Sequence, residues 1–398
     1  MKIISVDSDS LEKAFLTLPI FIYKNDHNWV RPLDKMITSV FNREQNGFFK
    51  HGDAHRWLVF DDNDQCVGRI AAFYDEKKAF TFSQPTGGVG FFESVDDQKV
   101  ADLLFDTAKE WLTTQGMQAM DGPINFGENM VNWGLLVDGF HPQTFGIPYN
   151  PKYYELLFEN YGFKTYYEQY CYRMNISEGL NPRLMKIAQW ISRRPGYHFG
   201  HMKFDNLEKY VNDFMTIYSK AWRSHDNFKG VDVKEIKEIG TFLKRLADEK
   251  YFWFAYKDDE PIAFFAMIPD WNQILKHLNG KINIYSIIKF LYLRRKKTIT
   301  RARCFVMGVV PEFQGSGVES AIFAQLEKVL DKQPWMTELE FSWVGDFNPK
   351  MELLYQSVGG KKASTLLTMR YLFDPSKSFE RAPILHESMK DKAKGAKN

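Results

Sequence analysis

The chain has 398 residues, of which 44% are hydrophobic and 26% charged, with a formal net charge of +2. That length exceeds one ordinary core, so two domains are expected, and the charge balance gives no reason to expect nucleic acid or an acidic membrane as partner. Cys66, Cys171 and Cys304 lie far apart in apolar runs, which excludes a disulfide framework or a cysteine metal pair.

The first residues, Met1 to Phe15, are charged at Lys2, Asp7, Asp9, Glu12 and Lys13. They lack the apolar core of a secretory signal, so a cytoplasmic location is expected. Helical patterning covers Asp9–Leu18 and Pro32–Asn42. Trp57–Phe60, the acidic turn Asp61–Asp64 and Cys66–Asp75 then read as a β-hairpin. A further strand, a helix over Asp96–Gln115 and a strand over Ala119–Ile124 follow. Asn150-Pro151-Lys152 opens another helix, with proline suited to its first position, and a strand over Glu168–Asn175 closes the series. Ile176 to Gly196 reads as a linker holding a basic helical piece, Arg183–Arg194.

The same order then returns. Helices cover Leu207–Ala221 and Val233–Glu249. The hairpin runs through Phe252–Tyr256, the turn Lys257–Glu260 and Pro261–Asp270. Later come a strand over Ala302–Val310, a helix over Glu319–Lys332 and a strand over Glu338–Val344. A second Asn-Pro-Lys helix at Asn348 and a closing strand over Leu366–Phe373 complete it. The two Asn-Pro-Lys helices even continue alike, as Glu155-Leu156-Leu157-Phe158 and Glu352-Leu353-Leu354-Tyr355. Two echoes at one offset indicate a duplicated domain. The expected architecture is α/β (α+β), with two tandem domains that each carry a mixed, mostly antiparallel sheet flanked by helices. The expected boundaries are 1–178, a linker over 179–200, 201–373, and a polar, lysine-rich tail over 374–398.

Chemistry concentrates at Val309-Val310-Pro311-Glu312-Phe313-Gln314-Gly315-Ser316-Gly317-Val318-Glu319, a strand, a glycine turn and a helix start. Amides at a helix N-terminus attract phosphate, and glycine allows close backbone approach. A plain connector is the alternative reading of such a turn. Val309, Pro311, Gln314 and Gly317 match the acyl-CoA motif V-x-P-x-x-[QR]-x-x-G-x-[GA]. Asn348, Leu354, Tyr355 and Gly359 match a later motif, with Met351 in its small-residue place. With both motifs in order, the second half resembles a GCN5-related N-acetyltransferase domain. The whole chain also resembles a group of bacterial proteins of that superfamily, through Ile22–Leu33 and Gly122-Pro123-Ile124-Asn125-Phe126-Gly127.

The resemblance implies acetyl-CoA, or another acyl-CoA, as co-substrate, no metal, and a small-molecule amine that attacks directly. It implies that the amides of Gln314, Gly315, Ser316, Gly317, Val318 and Glu319 hold the pyrophosphate. Gly308, Val309 and Val310 would bond the pantetheine arm. Tyr355 would protonate the departing thiolate; a tyrosine merely packed on the sheet is the alternative. Asn348 would cap its helix or hold a strand carbonyl.

Several positions depart from the pattern. Glu319 stands where glycine or alanine is usual, and a carboxylate beside pyrophosphate costs on the order of 1 kcal/mol in water and more when buried. In the first half, Gly90–Asp97 has no glycine turn, and Phe158 replaces the tyrosine. That copy is expected not to bind CoA, and to be structural or to form one wall of the acceptor site. Glu338, Glu340 and Asp346 are weak base candidates, with solvated strand positions the plainer reading of the two glutamates. His51 and His55 show no metal spacing. The segment Trp271–Lys297 suits a lid, a membrane-surface helix or a helix packed on the first half, and the charge balance favours lid or packing. No stable membrane insertion is expected. Transfer of a longer acyl or an aminoacyl group, and a non-catalytic acyl-CoA-binding or scaffold role, stand as alternatives.

Overall fold

A computed structural model describes residues 1–221 and 233–385. Local signals start and stop the elements. Ser8 caps α1 (Asp9–Ile22), whose first turn carries Asp9 and Glu12, a placement the helix dipole favours. In the hairpin of β2 (Gly52–Phe60) and β3 (Cys66–Asp75), the Asp61 carboxylate accepts the amides of Asn63 and Gln65. The matching hairpin, β9 (Phe252–Lys257) and β10 (Glu260–Pro269), turns through Asp258 and Asp259 at φ 49° and 67°. Paired positive φ values are the mark of a type I′ turn, whose twist suits a hairpin.

The first half continues through α2 (Asp34–Thr38), α3 (Glu76–Ala79), β4 (Thr86–Ser94), α4 (Gln98–Thr114), β5 (Ala119–Gly122), β6 (Leu135–Asp138), α5 (Tyr154–Tyr161) and β7 (Lys164–Asn175). The second half comprises α6 (Pro182–Ser192), β8 (Tyr197–His201), α7 (Leu207–Ala221), α8 (Val233–Leu246), α9 (Asn272–Leu275), α10 (Ile284–Arg295), β11 (Arg301–Val309), α11 (Val318–Leu330), β12 (Glu338–Gly345), α12 (Pro349–Ser357) and β13 (Lys361–Leu372). Each half therefore repeats one order. Each also carries a short edge strand ahead of its hairpin, β1 (Lys2–Ser5) or β8, that the sequence did not announce.

The halves do not form separate sheets. One 13-stranded sheet runs β1-β2-β3-β4-β5-β13-β7-β12-β11-β10-β9-β8, with β6 on β13. The closing strands are exchanged: β13 pairs with β5, and β7 pairs with β12. The two exchanged strands then pair antiparallel along nearly their whole length. Strand pairing thus crosses between the two sequence repeats. Pattern alone could not reveal this, because a strand's own sequence does not say which strand it pairs with.

Helices cover the sheet around two large apolar clusters. In the first half α4 and α5 pack through Leu104, Phe105 and Phe158. In the second, α11 packs through Ile322 and Phe323 on Phe265 and Phe341. Cys304 is buried in the second of these and Cys171 in a smaller cluster with Leu136 and Leu366, and burial pushes the Cys304 thiol up to about 12. Residues 374–385 return along the sheet, where the Ala382 amide donates to the Tyr166 carbonyl and the Leu385 amide to that of Phe347. The rest of the polar tail, 386–398, lies outside the described residues.

Candidate active site

The site begins where two parallel strands part. β11 and β12 are in register only from Arg301 with Glu338 to Cys304 with Phe341. There the Ser342 hydroxyl donates to the Cys304 carbonyl and closes the fork. Beyond it Phe264 pairs with Gly308 and Ala263 with Val309, so this end of β11 is held by β10 alone. β12 instead bulges toward β7 between Phe341 and Val344.

The first half forks in the same place and then refills the gap. β4 and β5 pair only from Thr86 to Gly88, but the Ile124 amide donates to the Val89 carbonyl at 2.8 Å. Gly90 lies so close to Ile124 that a β-carbon there would stand 1.8 Å from its carbonyl oxygen. The absence of a glycine turn and of a tyrosine in this copy thus coincides with a physically plugged fork.

The open fork widens into a cleft of about 1440 Å³. One wall carries Met307, Gly308, Val309, Trp343 and Tyr355; the other comes from the first half, with Phe48, His51, Trp133 and Tyr167. Arg303, fully buried at the fork, donates to the Ser342 hydroxyl and to the carbonyls of Phe145 and Met130.

At the mouth, Gly315 and Gly317 adopt φ 72° and 96°, left-handed conformations that favour glycine. Gly317 caps α11 and faces Ile187 of α6, where a β-carbon would sit 2.5 Å from the isoleucine. The linker helix therefore lies against the turn. The Gln314 and Ser316 amides are spent within the turn, on Pro311 and Phe313, and the Gln314 side chain donates to the Val309 carbonyl at 3.2 Å. The Gly315 amide instead donates to the Glu319 carboxylate at 3.2 Å, with the Gly317 and Glu319 amides also favouring its charge. Burial pushes that carboxyl above its usual range, and the three amides pull against the shift. Amides gathered around an anion are chemically suited to a phosphate group, and here the Glu319 carboxylate occupies that position.

Tyr355 is buried in the cleft wall, its ring stacked on Phe341 at 4.8 Å. Desolvation by burial drives its hydroxyl well above the ordinary phenol value, so it stays protonated. Asn348 caps α12 by accepting the Met351 amide, and it borders the cleft too. Val310 donates to the Ile262 carbonyl and lies just outside the lining. All the other candidate residues except Val318 line the cleft.

The acidic candidates fare differently. Glu340 is not a solvated strand position; it is fully buried, paired with Arg173 at 2.6 Å and bonded by the Thr144 hydroxyl. Glu338 reaches Arg301 at 3.8 Å, and Asp346 pairs with Arg381. The cleft offers another pair that the sequence did not bring together. His51 Nδ1 lies 2.6 Å from the Asp75 carboxylate, and both residues line the cleft. The register of the first hairpin sets this, since Gly52 pairs with Asp75. With Nδ1–H donating to Asp75, Nε2 is left as an acceptor. Knowing the hairpin register, not the spacing of His51 and His55, would have found it.

The forked sheet, repeated and joined, with a glycine turn in its second copy, is the tandem form of the GCN5-related N-acetyltransferase fold. No family model matches the chain. Among solved structures, a tandem protein of this class from the clavulanic acid biosynthesis pathway aligns over 94% of the chain and 99% of its own, with TM-score 0.55 and 10% identity. An N-acetyltransferase of the same class from Sphaerobacter thermophilus aligns over 96% and 98%, with TM-score 0.54 and 8% identity. By sequence the chain is 26% identical over 377 residues to the bacterial ceramide synthase of Caulobacter vibrioides, covering 92% of this chain and 96% of that protein. It is 25% identical over 358 residues to protein YghO of Escherichia coli K12, covering 88% and 90%.

Proposed function

We propose that the chain is an N-acyltransferase that moves an acyl group from acyl-CoA to an amine in the cleft of its second half. The observation that carries this is the contrast between the two forks: one is open beneath an amide cradle, the other is plugged. The amides of Gly315, Gly317 and Glu319 would receive the pyrophosphate once the Glu319 carboxylate swings out. The unpaired side of Phe305–Val309 would bond the pantetheine arm. The amine nitrogen attacks the thioester carbonyl, a C–N bond forms and the C–S bond breaks. His51 Nε2 takes the proton from nitrogen, and the Tyr355 hydroxyl gives one to the departing sulfur.

Two observations favour a long acyl chain over acetyl. The cleft, at about 1440 Å³, exceeds the range of roughly 300–1,000 Å³ typical of small-ligand pockets, and much of its lining is aromatic and aliphatic. The ceramide synthase relative points the same way, since a ceramide is the amide of a fatty acid and a long-chain amino alcohol. The reading is therefore transfer of a fatty acyl group to an amphiphilic primary amine. Calorimetry with CoA, acetyl-CoA and palmitoyl-CoA, followed by mass spectrometry of reactions containing sphinganine, tests it. Tighter binding of palmitoyl-CoA and an amide product support it. Binding of none of the three thiols and thioesters would overturn acyl transfer, and acetyl transfer alone would overturn the long-chain form.

A further inference from the structure

The second half carries a surface that the cleft does not use. Between β10 and β11 the chain inserts α9 and α10. The inner part of the insertion packs on the first half. Arg31 donates to the Asn279 carbonyl at 3.1 Å, the Asp34 amide to that of Gly280 at 2.8 Å, and the Asn272 side chain to that of Gln143 at 3.1 Å. α10 leaves this anchor, started by a capping box between Asn283 and Ser286.

A helix apolar around nearly its whole circumference is normally buried, and α10 is not. Only one stripe faces the body: Ser286 is buried, and Phe290 stacks on Trp271 with ring centroids 5.5 Å apart. On the opposite ridge Ile284, Ile288 and Leu291 are 63%, 59% and 56% exposed, with Ile287, Tyr285 and Tyr292 exposed beside them. An apolar ridge this continuous is unusual on a soluble surface and marks an interaction site.

Its charge selects the occupant. Residues 271–300 hold seven Lys or Arg and no Asp or Glu, in a chain whose net charge is only +2. Arg294, Arg295, Lys296 and Lys297 follow the ridge directly, and Lys281 and Lys289 flank it. Lys297 is turned back onto the Trp335 ring, 3.7 Å from its centroid. A second copy docking through the same face would set these basic groups against each other, because a two-fold contact meets itself. An anionic bilayer satisfies both features, taking the apolar side chains below the headgroups and the cations among them. A helix of 12 residues is about 18 Å long, too short for a hydrocarbon core of roughly 30 Å, so α10 would lie on the membrane rather than cross it.

We propose that α10 is an interfacial docking helix that seats the protein on an anionic phospholipid surface. The surface stands on the α10 residues alone; its purpose, access to lipid-borne acyl donors or amines, rests on the acyl-transfer reading above. The test is co-sedimentation of the full-length protein with phosphatidylglycerol vesicles and with phosphatidylcholine vesicles. Binding is expected to the anionic vesicles and to weaken as salt is raised. Ile288→Glu with Leu291→Glu should abolish it. Arg295→Glu with Lys296→Glu should weaken it at least about fivefold per charge removed. All four positions are solvent-facing, so circular dichroism melts should match the parent. Failure of the parent to sediment with either vesicle, equal binding by the parent and both variants, or a parent dimer that the first variant dissolves without any vesicle binding would each overturn the proposal. Vesicle binding without acyl-CoA binding would leave the docking helix standing and remove only its proposed purpose.

Discussion

The Glu319 carboxylate accepts the Gly315 amide at 3.2 Å and so fills the cradle that the glycine turn builds. On the acyl-transfer reading, the residue that departs most from the acyl-CoA motif would act as an internal anion in competition with the ligand. Glu319→Gln should tighten CoA binding about fivefold, the equivalent of roughly 1 kcal/mol of contact repulsion between like charges. Because burial raises the Glu319 carboxyl above its usual range, it takes up its proton at a higher pH than an ordinary glutamate. The charged form is the disfavoured one, so competition is full above the raised value and fades as pH falls through it. Titration calorimetry from pH 7.5 to 5 should show the parent approaching the variant at the acidic end. A constant difference across that range would show that the carboxylate charge is not the competitor.

Tyr355 is held between Phe341 and Tyr172 with its proton retained by burial. Tyr355→Phe keeps both ring contacts and removes only the hydroxyl. Turnover should fall about 10²- to 10⁴-fold, the usual worth of a positioned general acid, while acyl-CoA binding and thermal stability stay near the parent. Unchanged turnover would reduce Tyr355 to a packing residue.

His51 is oriented by Asp75. His51→Ala should lower kcat by a similar factor without altering acyl-CoA affinity, and added imidazole should restore part of the rate. Asp75→Asn, which keeps the shape but loses the charge, should give an intermediate rate. Lack of imidazole rescue together with a normal rate for Asp75→Asn would point to another base, and Lys78 is the next candidate. It lines the same cleft, over the Trp133 ring, and burial lowers its pKa.

Glu340 and Arg173 face each other across β12 and β7. Arg173→Ala would strand a fully buried carboxylate, which costs about 3–5 kcal/mol. Chemical denaturation should show that loss, whereas an effect below about 1 kcal/mol would mean that the carboxylate finds other partners or takes up a proton. The pair lies on strands from different halves, so the variant should weaken the whole sheet rather than one domain.

Much of this molecule was legible in its sequence because most of the signals are local. The acidic turns after Phe60 and Tyr256, the second Asn-Pro-Lys helix start and the glycine turn each act within a few residues and stand where the pattern put them, whereas α5 starts only at Tyr154 and Asn150 instead accepts the Leu136 amide. What escaped was set by partners distant in sequence. His51 meets Asp75 only through hairpin register, and Glu340 reads as an alternating surface residue until Arg173 and Thr144 are brought beside it. The exchange of β7 and β13 leaves no local mark, since pairing is decided by strands distant in sequence. The insertion around α10 does pack its inner part on the first half, one of the readings its sequence allowed, while its local excess of basic residues disappears in a charge balance taken over the whole chain.

The strand exchange also bears on how the chain comes into being. β5 waits for β13, which lies near the end of the chain, while β7 is made early and has no β12 to pair with. During synthesis the first half would leave the ribosome with a vacant edge and an unpaired strand beside it, the kind of exposed edge that invites wrong partners. Tyr153, at the N-cap of α5, and Tyr154 already bond Ser94 and Glu93 within that half, so it can gather its own core before the last strand arrives. Completion is then a single late event that closes both halves at once. The two copies, though alike in sequence order, reach maturity only together.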